Sequence, residues 1–127
     1  MGQRLRQGKR PRKDLSQPAE PRVGQELLDM VQEYTFRYFW DFAHPVSGLI
    51  RERNTSVETV TMGGTGFGIM AILVGIERGF ITYQQGLDRL LTMVSFLEEA
   101  DRFKGAFPHW MNGTTGQVVP FSAQDNG

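Results

Sequence analysis

The sequence predicts an all-α chain of about three helices followed by a small β-hairpin. Three observations predict it. Apolar side chains recur at spacings of three and four over residues 25–42. Residues 67–76 form an unbroken run of apolar side chains and glycine. Thr82 and Gln85 then open a third periodic stretch that reaches about Ala100.

In the first predicted helix the stripe is Leu27, Leu28, Val31, Tyr34, Thr35, Tyr38, Phe39 and Phe42. Polar and charged residues fill the other positions. Glu33 and Arg37 stand four apart in the favourable order. Phe36 and Trp40 add rings beyond what one stripe requires, so some rings must face a second surface. Pro45 forbids continuation. Residues 43–64 read as a long connection with a turn at Pro45, Ser47 and Gly48. Connections of that length are often functional. Arg51, Glu52, Arg53 and Asn54 lie at its middle. They fit equally a solvated charged loop and a hydrogen-bonding wall for a polar ligand.

The second predicted helix starts near Thr65 and stops at Gly79, a residue type favoured just past a helix end. Its apolar run leaves no polar side, which predicts an interior helix wrapped by others. Gly68 and Gly75 predict close packing, because each costs about 1 kcal/mol against Ala in a helix. The approach GGTGFG could cradle an anion at a helix N-terminus. It is a poor dinucleotide fingerprint, since no β-branched strand precedes it, and no Walker A motif occurs. The third helix carries Leu87, Leu90, Leu91, Val94 and Leu97 as one stripe and is an amphipathic outer partner of the second. After it, residues 106–112 and 117–121 flank GTTG and predict the hairpin.

Composition excludes several functions. There is no Cys, which removes disulfides, Cys-ligated zinc and cysteine catalysis. Two His are too few for a His-rich metal site, and the sequence predicts no metal and no cofactor. No apolar run of about 18 residues occurs, so no membrane span is predicted. The net charge of +0 conceals an asymmetry. Residues 1–22 hold seven basic and two acidic groups; the remainder holds seven basic and twelve acidic. An acidic body argues against nucleic-acid binding. Residues 1–24 are predicted to be a disordered basic segment, and residues 25–127 the domain. The basic segment includes KRPRK, a weak import-like patch, and has no apolar run of the kind that follows the basic start of a secretory signal.

Candidate catalytic groups are few. Asp125 is one carboxyl beside Asn126 and Gly127, and no second acid with matching surroundings stands out. No G-x-S-x-G elbow is present. His109, between Pro108 and Trp110, could orient a ligand hydroxyl or be structural. Phe107 and Trp110 could form a platform for a sugar face or pack a hairpin.

Three blocks, YFWDFAHPVSGLIRERN, GGTGFGIMAILVGIERGFIT and DRFKGAFPHWMNGTTGQVVPFS, resemble the bacterial glucoamylase-like domain family in family order. That family includes endo-β-1,2-glucanases and a domain of cyclic β-1,2-glucan synthases. The resemblance covers residues 26–127 and implies the N-terminal part of an (α/α)6 barrel, an incomplete barrel of about one and a half helical pairs out of six. It implies a glycoside hydrolase that acts on β-glucan, most closely β-1,2-glucan, by carboxylate general acid/base hydrolysis. Family glucanases are often exported. Asp125 matches the first acid of the family's D-x-x-x-D-x-x-E pattern, whose later acids would fall past Gly127. Phe107, His109 and Trp110 match a block at the pocket mouth, and Arg51 and Arg53 match its RER segment; substrate contact is the role expected of all five. The 127 residues alone are expected to be inactive on β-glucan oligosaccharide or polysaccharide. The competing expectation is a non-enzymatic helical module that binds protein or carbohydrate.

Overall fold

The computed structural model describes residues 23–124. The basic segment of residues 1–22 and the candidate acid Asp125 lie outside the described residues. Three helices dominate: α1 (Val23–Asp41), α2 (Met62–Glu77) and α3 (Tyr83–Glu99). Two short strands, β1 (Thr59–Thr61) and β2 (Trp110–Asn112), pair antiparallel, with Val60 opposite Met111. This mostly helical arrangement with a small antiparallel pair is the predicted fold class and fits part of a larger helical barrel. α2 lies between α1 and α3. Among the described residues no helix is long and apolar enough to cross a membrane.

Local chemistry sets the boundaries. α2 begins at Met62, three residues before the expected start, because Thr61 is the N-cap: it is still extended as the last residue of β1, and its hydroxyl accepts from the Gly64 N–H at 3.0 Å. Gly63 and Gly64 are thus the first turn of the helix rather than the approach to it. Gly79 takes φ 71° immediately beyond the C-cap, a conformation that favours glycine. α3 opens with the predicted capping box. The Thr82 hydroxyl accepts from the Gln85 N–H at 3.1 Å, and the Gln85 side chain accepts from the Thr82 N–H at 2.8 Å.

Packing departs from the expected stripes in two helices. On α1 the residue pressed into the core is Phe36, four residues before Trp40, with the two rings stacked at 5.9 Å. Phe80 tilts against Phe36 at 5.4 Å. Leu27, Leu28, Val31 and Tyr34 stay exposed. On α3 the inward face runs through Gly86, Leu90, Met93 and Leu97, while Leu91 and Val94 face outward. The reason is α2. Its buried residues are Thr65, Gly68, Ile72 and Gly75, a face of small side chains that lets large neighbours approach. A Cβ on Gly68 would overlap Ile50, and one on Gly75 would overlap the Phe36 ring. A Cβ on Gly86 would lie 2.6 Å from Ile76. The other side of α2, expected to be covered, is bare among the described residues: Phe67 is 71% exposed and Met70 59%. An apolar groove between α1 and α2, lined by Phe36, Phe39, Ala71 and Val74, opens on that surface.

The long connection is more ordered than a loop. Ala43 bridges Ile50, Arg51 bridges Val60, and Met111 bridges Val118. With the Val60–Met111 pair these form a ragged ladder from the end of α1 to the segment after the hairpin. Its centre is dry, with Leu49, Val60 and Met111 fully buried.

Two glycine substitutions separate close packing from helix propensity. Gly66→Ala, whose Cβ meets nothing within 4 Å, is expected to stabilise by up to about 1 kcal/mol. Gly75→Ala is expected to destabilise by about 1–3 kcal/mol, because overpacking against Phe36 outweighs the gain in propensity. Denaturant midpoints of the two variants against the parent protein measure the difference.

Candidate functional site

The C-terminal hairpin builds an aromatic cluster. The Met62 N–H donates to the His109 carbonyl at 3.1 Å, and the Val119 N–H donates to the Trp110 carbonyl at 3.0 Å. Strand β2 is therefore fixed on both sides, to the start of α2 and to the returning segment. That return brings Phe121 back onto the strand. Trp110 and Phe121 ring centres lie 4.3 Å apart, His109 and Phe121 5.2 Å, and His109 and Trp110 5.7 Å. Phe121 and His109 are exposed and Trp110 is half-buried. Three partly accessible rings with a titratable edge make a surface suited to a flat, hydroxyl-rich ligand.

Among the residues singled out in the sequence, His109 and Trp110 come together. Phe107 does not join them: it packs against the core, with the Arg102 guanidinium 5.7 Å above its ring. Arg51 braces its own loop. Its Nε donates to the Val57 carbonyl at 3.2 Å and an Nη donates to the Phe42 carbonyl at 3.5 Å. Arg53 is exposed and forms an ion pair with Glu52. That guanidinium holds the Glu52 carboxyl below its usual range, and Ser56 adds a hydrogen bond at 3.1 Å. Asp125 lies outside the described residues.

Two features were missed in the sequence. Phe121 had a weak signal, since a hairpin centred on GTTG folds the residues after Val119 back over those before Trp110. The other is a network around Glu58, an acid of the 43–64 connection. The Thr114 hydroxyl donates to Glu58 Oε2 at 2.7 Å, and His44 Nε2 lies 3.3 Å from the same oxygen. These contacts, the Thr114 hydrogen bond first and then His44 and Arg51, hold the Glu58 carboxyl below its usual range. No sequence signal links residues 44, 58 and 114; only the ladder register does. Among the described residues no three His, Asp or Glu side chains converge as metal ligands.

The family model described as a protein of unknown function (DUF3131) matches residues 32–127. The chain belongs to this family. It is 54% identical over 112 residues to the exo beta-1,2-glucooligosaccharide sophorohydrolase (non-reducing end) of Parabacteroides distasonis, a match that takes in 84% of this chain and 15% of that protein. The endo-beta-1,2-glucanase of Chitinophaga pinensis, solved with sophorotriose and glucose, superposes with a TM-score of 0.78 at 53% identity, over 83% of this chain and 27% of that one. A beta-1,2-glucanase of Parabacteroides distasonis superposes with a TM-score of 0.77 at 53% identity, over 84% and 16%. This DUF3131 chain is thus related to bacterial glucoamylase-like and β-1,2-glucanase domains, and it spans about a quarter or less of the length of these three relatives.

The two arginines should separate by substitution. Lysine cannot span the two carbonyls that Arg51 reaches. Arg51→Lys is expected to lower stability by about 1 kcal/mol, whereas Arg53→Lys, at an exposed pair, is expected to stay within about 0.5 kcal/mol of the parent. Urea denaturation of both variants checks this.

Proposed function

We propose that this chain supplies one wall of the substrate site of a glycoside hydrolase domain acting on β-1,2-glucan. The observation that carries the reading is the His109–Trp110–Phe121 cluster, in a chain more than half identical to proteins named for β-1,2-glucan hydrolysis. In this reading a glucose ring lies against Trp110 and Phe121, with its C–H groups on the aromatic faces and its hydroxyls at the rim. His109, exposed at the edge of the cluster, orients one of those hydroxyls. Phe107 sets the strand from behind. Arg51 holds the adjoining loop in shape, and Arg53 stands at its exposed turn within reach of a longer saccharide.

Hydrolysis of a glycosidic bond needs one carboxyl to protonate the leaving oxygen and another to activate water or attack the sugar. Asp125 is the proposed first member of that carboxylate set, on the strength of the family pattern. Glu58 and Glu52 do not serve as its partner in this reading. Glu58 is held ionised by His44 and Thr114, and Glu52 by Arg53, so neither is poised to donate a proton. The 127 residues by themselves are therefore proposed to bind β-1,2-gluco-oligosaccharides without cleaving them.

Tryptophan fluorescence tests the binding wall. The two tryptophans are Trp40 and Trp110, and Trp40 sits under the Arg89 guanidinium at 4.2 Å. Titration with β-1,2-gluco-oligosaccharide is expected to change the emission saturably, and Trp110→Phe is expected to abolish the change while leaving Trp40 emission. No change at millimolar sugar would sink the reading. Reducing-end release from β-1,2-glucan is expected to match a boiled control, and release above it would show that the 127 residues already hold a full carboxylate set.

A further inference from the structure

The hairpin that carries the aromatic cluster is anchored at its far end by a set of side chains with no part in the proposed sugar face. We propose that Glu58 is an acid-released latch: gripping His44 and Thr114, it fixes the 112–117 turn and thereby positions the strand that bears His109 and Trp110.

His44 is 2% exposed. Its Nδ1 accepts from the Val46 N–H at 3.3 Å, so the ring proton resides on Nε2 and is donated to Glu58 Oε2. The same carboxylate oxygen accepts the Thr114 hydroxyl, and the Gly113 N–H donates to the Glu58 main-chain carbonyl at 2.7 Å. The turn lies flat on the imidazole because residue 113 is glycine; a Cβ there would sit 2.6 Å from the ring. Asn112 makes the turn internally rigid, its side-chain oxygen accepting from the Thr114 and Thr115 N–H groups at 2.8 and 2.9 Å. A turn that is rigid and touches Glu58 at two points moves as Glu58 moves. Asn112 is also the last residue of β2, so the turn's position is the strand's position.

Two basic side chains face Glu58: His44 from the segment after α1 and Arg51 from the segment paired with β1. Both favour the ionised carboxylate, as does the Thr114 hydroxyl. The latch is therefore engaged throughout the neutral range. It is lost as pH falls through the depressed value of Glu58, when the carboxyl takes a proton and becomes a weaker acceptor.

Amide hydrogen exchange on the 127-residue protein tests the latch, with each protection factor divided by that of Met93 at the centre of α3. The ratio at Gly113 is expected to fall by about threefold or more between pH 7 and pH 3.5. In Glu58→Gln it is expected to be low at neutral pH and nearly flat. In Thr114→Val, which keeps the fold's charge pattern, it is expected to be lowered at neutral pH. A ratio independent of pH in the parent protein overturns the latch, as does parent-like behaviour of Glu58→Gln, or unchanged neutral protection in Thr114→Val should the glutamine variant not fold. The positioning of the sugar face rests on the proposed function, and a separate readout judges it. Oligosaccharide affinity measured by Trp110 emission should weaken at least threefold over the same pH interval in the parent and not in Glu58→Gln. Equal weakening in both overturns the positioning, and absence of binding at neutral pH counts against the proposed function while the exchange ratios still judge the latch.

Discussion

Two missing side chains on α2 govern the arrangement of everything else. Because Gly68 and Gly75 present only backbone, Ile50 and Phe36 lie directly against the helix axis. Phe36 fixes α1. Ile50 fixes the segment after α1, and its N–H donates to the buried Thr65 hydroxyl at 3.1 Å, so the contact is apolar and hydrogen-bonded at once. From Ile50 the order passes outward by register: Arg51 to Val60, Val60 to Met111, Met111 to Val118. The aromatic cluster is the far end of that chain of contacts. Its geometry is thus inherited from helix packing some distance away, and a substitution on α2 can disturb it without touching it.

The charged residues of the long connection are spent mostly on that connection. Arg51 ties together the two ends of its own loop through carbonyls of Phe42 and Val57. Glu52 and Arg53 pair with each other, and Glu58 reaches to His44 and Thr114. A segment without regular structure must satisfy its backbone and charged groups by side-chain contacts, since no helix or sheet does it for them. The charge density that could have signalled a ligand wall is in large part the means by which a non-helical stretch keeps one shape.

Helix existence and capping were legible in the sequence because they are local. The Thr82–Gln85 box, the Gly79 stop and the Pro45 break each act within four residues. The inward faces were less legible. On α1 the sequence offers more rings than one stripe holds, and the choice of Phe36 over Leu28 and Val31 was made by Gly75, which lies far away in the chain. Strand β1 was invisible for the same reason: TVT has β-branched residues, but only its pairing with Trp110–Asn112 makes it a strand. Of the site, His109 and Trp110 were readable as neighbours in sequence. Phe121 required the hairpin's return, and the Glu58 network required the whole ladder. The family resemblance gave Phe107 a role at a pocket mouth that its own packing, inward and beneath Arg102, does not suggest.

The two surfaces of this structure differ in kind. On one, the ladder and its loops satisfy their own polar groups and present rings in a defined geometry. On the other, α1 and α2 show Phe67, Met70, Leu73 and Val31 to solvent. A binding face must be fixed before the ligand arrives if the cost of ordering it is not to be taken from affinity. The aromatic cluster meets that condition through contacts that lie entirely within the described residues. Under the proposed function, recognition of a sugar ring and chemistry on its linkage are separable. The first depends on a hairpin this chain holds in place by itself. The second depends on opposed carboxyls, and a single wall cannot oppose itself.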